Sequence, residues 1–499
     1  MKDNAHNINE IINNQNNQFE QSISETTIIL AAGHGKRIKS HTSKMLHKIW
    51  EKPTVERVYD ASKNGLKNVN TIIVVGIKAD DVINVIGEKP NTLFAYQEKQ
   101  NGTGHAVQVA LEKINNDYDG IIYILPGDMG LIDSETMKNF KNNFINSQAD
   151  MMVLTGLYEG DSKNNNYGRI VRVKDTDTQG NWSGEDRGKV IEIIEHKDIL
   201  NLDNDKPYIT NFKGKEYSFT KKELIDNNEF NSGVYAVNYK KMNELINNLD
   251  SNNVQGEIYI TDLISVFNNN GLTVRAVPPR EQHVLMGFNN KSVLLQMENI
   301  AREIVYEKLK DIVAFEDPYD FFIHEDVVEC ILDLDKKGQP LDIYIGKGVY
   351  LGKKVKVNYN LKLYKNTYVK GNVQFGKRVT ISENVHLSTF DHQTLKLGDH
   401  VEILWGNIIK GNIVIGDNSR IESSVNMTGS DEFPLRIGKN VTIKGTSYLF
   451  GSIVEDDAFI EHSIFIKKKV ESFVTKDGES RKIRFYLPMP EGLDSISDL

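Results

Sequence analysis

Residues 28–47 read IILAAGHGKRIKSHTSKMLH, and the fold turns on this stretch. An apolar strand ending near Leu30, Ala31 and Ala32 breaks into a loop that carries Gly33 and Gly35, and Arg37, Lys39 and Lys44 follow within reach of whatever the loop holds. Glycines let backbone N–H groups come close to a ligand, and neighbouring cations offset an anion held there. The loop lacks both the six-residue glycine frame of dinucleotide folds and the Gly-Lys-Ser/Thr ending of the P-loop. On spacing alone it is equally a strand-to-helix turn with surface lysines.

Working outward, the segments TIIL (27–30), TIIVVG (71–76), GIIYIL (120–125) and DMMVLTGL (150–157) are Ile/Val-rich and continuous rather than alternating. Strands buried on both faces have this character, so a mostly parallel sheet covered by helices is predicted. Pro53 stands where a helix can begin and Gly65 where one can end. Ligands of such sheets sit beyond the carboxyl ends of the strands, where the 33–44 loop and the segment LPGDMGLI with Asp128 both fall. A carboxylate beside a phosphate loop makes sense if a divalent cation bridges them; otherwise Asp128 merely caps a turn. The segment QEKQNGTGH supplies Gln97, which can hydrogen-bond a base edge, and Gly102, Thr103 and Gly104, whose backbone can approach a flat ring.

The chain of 499 residues is long enough for two or three units. A net charge of −9 argues against a general nucleic-acid surface, which needs clustered cations. The one cysteine, Cys330, rules out an internal disulfide framework. No apolar run approaches the roughly eighteen residues that cross a bilayer, and the start MKDNAHNINEIINNQNNQ has no leader character, so a cytoplasmic protein without a membrane partner is expected. Residues 1–24, rich in Asn and Gln, are expected to stay disordered.

Past residue 290, apolar positions from Met297 to Ile312 keep helical spacing and predict one long connecting helix, ended by Asp317-Pro318, within a linker over 291–325. From Ile345 the period becomes six: Ile345, Leu351, Val357, Leu363, Val369, Phe375, Ile381 and Leu387 fall in phase, with a second apolar column four residues later. A six-residue period marks a parallel β-helix, predicted here over 326–480 with a tail at 481–499. Two four-residue phase jumps, at 388–396 and 428–436, should emerge as loops at corners.

The series LAAGHGKRIKS, SKMLH, QEKQNGTGHAV, LPGDMGLI, NYGRIVRV, IIEHKD, FNSGVYAV, GEIYITDLI and MGFNNKSVL resembles, in order over 28–293, the bacterial N-acetylglucosamine-1-phosphate uridylyltransferases. The resemblance implies a Rossmann-like α/β nucleotidyltransferase domain over 25–290 followed by a left-handed parallel β-helix. It implies a uridine site at Leu30, Ala31, Ala32, Gly33, Gln97, Gly102 and Thr103, with Arg37 and Lys44 on the phosphates of UTP. It places Mg²⁺ on Asp128 and Asn289, and a sugar 1-phosphate pocket at Gly168, Glu195 and Asn231. Related prisms associate as trimers, so a homo-oligomer is expected.

Departures from the family pattern are His34, Lys36 and Gly130, and residues 174–228 are longer than the family leads one to expect. Another nucleotide or sugar phosphate is the nearest alternative. In bifunctional relatives the prism is also an acetyl-CoA-dependent acyltransferase. Its Asn-Tyr-Asp-Gly region is not found, SSVNMTGSDEF being the nearest piece, and His386, His392, His400 and His462 remain as candidate bases. A non-catalytic binder of UDP-sugars is a third alternative.

Overall fold

The continuous apolar segments become the middle of one sheet. In the computed structural model, which describes residues 2–33, 35–478 and 481–485, the chain opens with helix α1 (Lys2–Gln15) and continues into β1 (Glu25–Ala31). Then follow α2 (Thr54–Leu66), β2 (Asn70–Val75), α3 (Ala79–Ile86), β3 (Thr92–Tyr96), α4 (Thr103–Leu111), β4 (Ile121–Pro126), α5 (Ser134–Ser147) and β5 (Met151–Leu157). After these come β6 (Arg169–Arg172), β7 (Val190–Ile194), α6 (His196–Asn201), β8 (Tyr208–Phe212), β9 (Lys215–Phe219), β10 (Glu229–Asn238) and β11 (Val274–Val277).

The main sheet runs in the order β11, β5, β10, β4, β1, β2, β3, with β6 and β7 extending from β10. β1 pairs in parallel with β2 and β4, as β2 does with β3 and β11 with β5; β10 runs antiparallel between β4 and β5. Alternate residues face opposite layers, as a period of two requires. Ile29, Ala31, Ile73 and Val75 pack with Val55, Val58 and Val82 on one side, while Ile28, Ile72 and Val74 meet Val107, Ala110 and Ile264 on the other. Both faces are thus covered, which is why these strands carry no polar alternation.

One expectation needs correcting in this unit. Residues 1–24 are not devoid of structure: α1 buries Ile12, with Ile8 and Ile11 beside it, and the Asn16 carboxamide accepts a hydrogen bond from the Phe94 backbone N–H at 2.6 Å. Isoleucines at three-to-four spacing form an apolar stripe that the surrounding asparagines disguise. Gly65 is the penultimate residue of α2, where a Cβ would stand 2.6 Å from Met137 Cβ and Ser134 O of α5. The longer 174–228 stretch, whose fold the sequence leaves open, carries a hairpin. β8 and β9 form an antiparallel hairpin, and Phe212, Tyr217 and Phe219 build a small core with Val171, Val173, Ile191 and Ile199.

The connecting helix, α7 (Lys291–Leu309), ends well before Asp317-Pro318, because the chain at Val313–Phe315 already forms a strand. The division into two units, Met1–Glu298 and Asn299–Leu499, falls inside this helix. In the second unit three parallel sheets of nine, eight and six short strands stack coil upon coil, giving the left-handed parallel β-helix. Ile345, Leu363, Ile381, Ile403, Ile421 and Ile443 lie in register up one face. They are 18 residues apart, except for steps of 22 between Ile381 and Ile403 and between Ile421 and Ile443, so the two phase jumps are extra corner residues. Corners place Asn360, Asn366, Asn384, Asn418 and Asn440 at φ of +55° to +58°, the left-handed region that asparagine tolerates better than most residues. Stacking starts at Val313 rather than 326 and continues through Lys482–Ile483, inside the expected tail. Helix α8 (Glu325–Asp335) interrupts the first coil with Val327, Val328 and Ile331 buried at helical spacing. Residues 486–499 of the expected tail lie outside the described residues.

Candidate active site

The carboxyl ends of β1 and β4 open onto a cleft of about 630 Å³ in the first unit. Its wall includes Leu30, Ala32, Gly33, Gly35, Arg37, Lys44, Gln97, Gly102, Thr103, Asp128, Glu195, Asn231 and Asn289. Of the residues named from the sequence, Ala31, Gly104 and Gly168 are not in this wall. Ala31 follows the strand alternation and points into the core between sheet and helices. A Cβ on Gly168 would lie 3.2 Å from the carboxylate of Glu195, which is in the wall. Lys39 is exposed and outside the wall, and His34 lies outside the described residues.

The glycine loop is built to meet Lys44. Gly35 has φ +58°, and a Cβ on it would stand 2.8 Å from Lys44 Cβ, so only glycine lets the loop close onto that lysine. Gly33 differs: its nearest neighbour would be Met45 Cε at 3.8 Å, so nothing in the protein demands a glycine there. Lys44 Nζ lies 2.5 Å from Asp128 Oδ2 and donates to Asn289 Oδ1 at 3.0 Å, over the face of Phe288 at 5.5 Å. Asp128 and Asn289, far apart in sequence, therefore converge on one cation. Gly287 makes this convergence possible, since a Cβ there would press on Asp128 Oδ2 at 3.1 Å. Among the described residues no three His, Cys, Asp or Glu side chains gather as a metal site. A carboxylate and an amide oxygen are nonetheless the donor set that a hard cation uses when phosphates complete its shell.

The Gly-Thr-Gly turn packs against the segment at Ile258. Gly102, at φ +109°, leaves no room for a Cβ against the Ile258 carbonyl. Ile258 N–H donates to Asn101 O at 2.8 Å, Gly104 N–H donates to Ile258 O at 2.8 Å, and Ile260 N–H donates to Thr103 Oγ1 at 3.2 Å. The segment 257–261 is thereby stitched to the turn and adds Glu257, Ile260 and Thr261 to the wall. Gln97, buried, spends its amide N–H₂ on Gly102 O at 3.0 Å and on His105 Nδ1 at 3.0 Å, which leaves its carbonyl oxygen as the group free to read a base.

At the other end of the cleft, Asn231 N–H donates to Gly168 O at 2.9 Å, and the Asn231 side chain accepts from Gly233 N–H at 2.9 Å across a bulge in β10. Burial, reinforced by the Asp198 and Asp262 carboxylates, pushes Glu195 up to about 7. Asp262 is itself raised to about 6 by burial and by Asp250, Asp198 and Glu192. The hairpin contributes here, as Tyr208 O–H donates to Glu192 Oε2 at 3.0 Å, three residues before Glu195. Burial, with Asp128 nearby, also holds the Tyr167 phenol above its usual range, and its ring stacks on Phe230 at 4.5 Å.

Sequence reasoning missed Lys197, Tyr235, Glu257 and Thr261 in the wall. The segments IIEHKD, FNSGVYAV and GEIYITDLI that carry them were visible as motifs, but only the folded pairing shows which side chains face the cleft. The four histidines of the β-helix stand at different places with different partners. His386 packs on Tyr368, His392 on Asp431 at 2.7 Å, His400 on Arg378 at 3.4 Å and His462 on Thr446 at 2.7 Å.

Residues 27–162 match the MobA-like NTP transferase domain. The bifunctional protein GlmU of Acetivibrio thermocellus is 35% identical over 302 residues, 60% of this chain and 57% of that protein. GlmU of Clostridium kluyveri is 30% identical over 402 residues, 75% of either chain. The chain thus spans little more than half of the first relative's length and three quarters of the second's. The structure of UDP-glucose pyrophosphorylase complexed with UDP-glucose is similar at a TM-score of 0.39 and 14% identity, over 56% of this chain and 99% of that one.

Proposed function

The chain belongs to the GlmU family, and from that premise we propose that its first unit transfers a uridylyl group from UTP to N-acetylglucosamine 1-phosphate, releasing pyrophosphate. The observation that carries the reading is the convergence of Asp128 and Asn289 on a single cation beside the glycine loop. A phosphate oxygen of the sugar 1-phosphate attacks the α-phosphorus of UTP in line. The bond from that phosphorus to the oxygen bridging the β-phosphate breaks, and pyrophosphate departs. Such chemistry depends on positioning and charge more than on a protein nucleophile.

Each residue then has a stated task. Gly33 lets the triphosphate approach the backbone, since no packing contact explains a glycine there. Arg37 and Lys44 offset the charge that grows on the departing pyrophosphate. Gln97 offers its carbonyl oxygen to the uracil N–H. Glu195, Asn231 and the backbone at Gly168 orient the sugar. A bound divalent ion, for which Mg²⁺ suits the all-oxygen pair of Asp128 and Asn289, supplies further neutralisation of phosphate oxygens. The β-helix serves assembly, with a trimer as the expected state.

The test is pyrophosphate release with Mg²⁺ across UTP, dTTP, CTP and GTP against N-acetylglucosamine, glucose, galactose and glucosamine 1-phosphates. UTP with N-acetylglucosamine 1-phosphate is expected to give the highest kcat/KM. A clear preference for any other pair corrects the substrate, and no turnover with any pair removes the reading.

A further inference from the structure

The groups that would hold the divalent ion are already in use. Lys44 Nζ sits against Asp128 Oδ2 at 2.5 Å and Asn289 Oδ1 at 3.0 Å, with the Phe288 ring closing a third side at 5.5 Å. An ammonium there satisfies the same two oxygens a metal needs. It also repels any further cation, because like charges at such separations interact strongly in a site that is mostly out of solvent, the Lys44 and Asp128 side chains being only 12% and 15% exposed. The side chain has a second destination close by. The glycine loop touches the Lys44 stem through Gly35, so a polyphosphate cradled by that loop lies within the swing of the same ammonium.

We propose that Lys44 is a resident stand-in for the divalent cation, holding Asp128 and Asn289 until nucleotide phosphates draw it away, so that metal binds with the nucleotide and not before it. This rests on the metal site of the proposed function. The consequence is a linkage: phosphates that attract Lys44 raise metal affinity, and metal that displaces Lys44 raises phosphate affinity by the same factor. It also keeps Asp128 neutralised while the cleft is empty, so that no uncompensated carboxylate remains in a partly buried site.

The experiment is Mn²⁺ binding to the full-length, nucleotide-free protein, read by loss of the free-ion electron paramagnetic resonance signal. Wild type is compared with Lys44→Gln, Lys44→Met, Asp128→Asn and the double variant Lys44→Gln with Asp128→Asn, and far-ultraviolet circular dichroism confirms that each is folded. The Lys44 variants are expected to bind Mn²⁺ at least tenfold more tightly than wild type, and Asp128→Asn to bind none at this site. If both Lys44 variants bind no more tightly than wild type while Asp128→Asn abolishes binding, the stand-in role is overturned and the metal site survives. If Asp128→Asn added to Lys44→Gln leaves Mn²⁺ binding as tight as in Lys44→Gln alone, the metal assignment falls, and the stand-in role falls with it.

Discussion

Glu195→Gln should make the protein more stable at neutral pH while leaving it unchanged in acid. In the folded chain burial and the Asp198 and Asp262 charges raise the Glu195 carboxyl from 4.5 to about 7, whereas the unfolded chain has nothing to raise it. Between those values the folded state keeps a proton that the unfolded state has released, so this group's contribution to stability falls as pH rises from about 4.5 to about 7 and is level on either side. At about 1.4 kcal/mol per pH unit the loss reaches about 3 kcal/mol. Glutamine has the same shape and no charge to bury, so it escapes that loss. For a unit of this size a kcal/mol moves the melting temperature by roughly 2 °C, which gives a gap of roughly 6 °C at pH 8. Asp262 is present in both proteins and largely cancels. The assay is differential scanning fluorimetry of both proteins from pH 4.5 to 8.5 without ligands. A melting-temperature difference that opens across that interval and then levels off is the expected result. A difference that is constant with pH, or of opposite sign, would show that Glu195 ionises normally and that the acidic end of the cleft has been misread.

Lys44→Ala should lower kcat/KM for UDP-sugar formation by roughly 10- to 100-fold, the worth of a charge-assisted hydrogen bond of about 1.5–3 kcal/mol, measured by coupled pyrophosphate release. Gly102→Ala forces a side chain into the Ile258 carbonyl at φ +109°, so it should destabilise the chain by about 1–3 kcal/mol and raise KM for the nucleotide, seen in urea melts and initial rates. Unchanged stability would mean that the 257–261 segment yields readily. Sedimentation velocity at micromolar concentration should give three chains per particle; a monomer would remove the assembly role given to the β-helix.

Much of the architecture was legible because burial leaves a local trace. Strands covered on both faces carry unbroken runs such as TIIVVG, and a coil of three hexads repeats its apolar residues every 18 positions, so even the four-residue jumps could be placed. The glycine loop, Asp128 and Asn289, which line one cleft, were legible from motif order. What stayed hidden depends on partners distant in sequence. The α1 stripe at Ile8, Ile11 and Ile12 is too short to stand out among asparagines until β3 and α3 give it something to cover. The strand TLFAY at 92–96 is brief and lies at the sheet edge. β10 reverses direction, which a run of apolar residues cannot announce. The wall at 257–261 is defined by its hydrogen bonds to Asn101, Thr103 and Gly104, and no periodicity encodes a pairing of that kind.

The most direct measurement is UDP-N-acetylglucosamine formation by purified Asp128→Asn, followed by anion-exchange chromatography with UTP, N-acetylglucosamine 1-phosphate and Mg²⁺, beside its melting curve. The account predicts a folded protein with product formation reduced by more than the Lys44→Ala loss, at least a hundredfold. A folded variant that keeps close to the wild-type rate would contradict it, because the shared cation site at Asp128 and Asn289 would then have no part in the reaction.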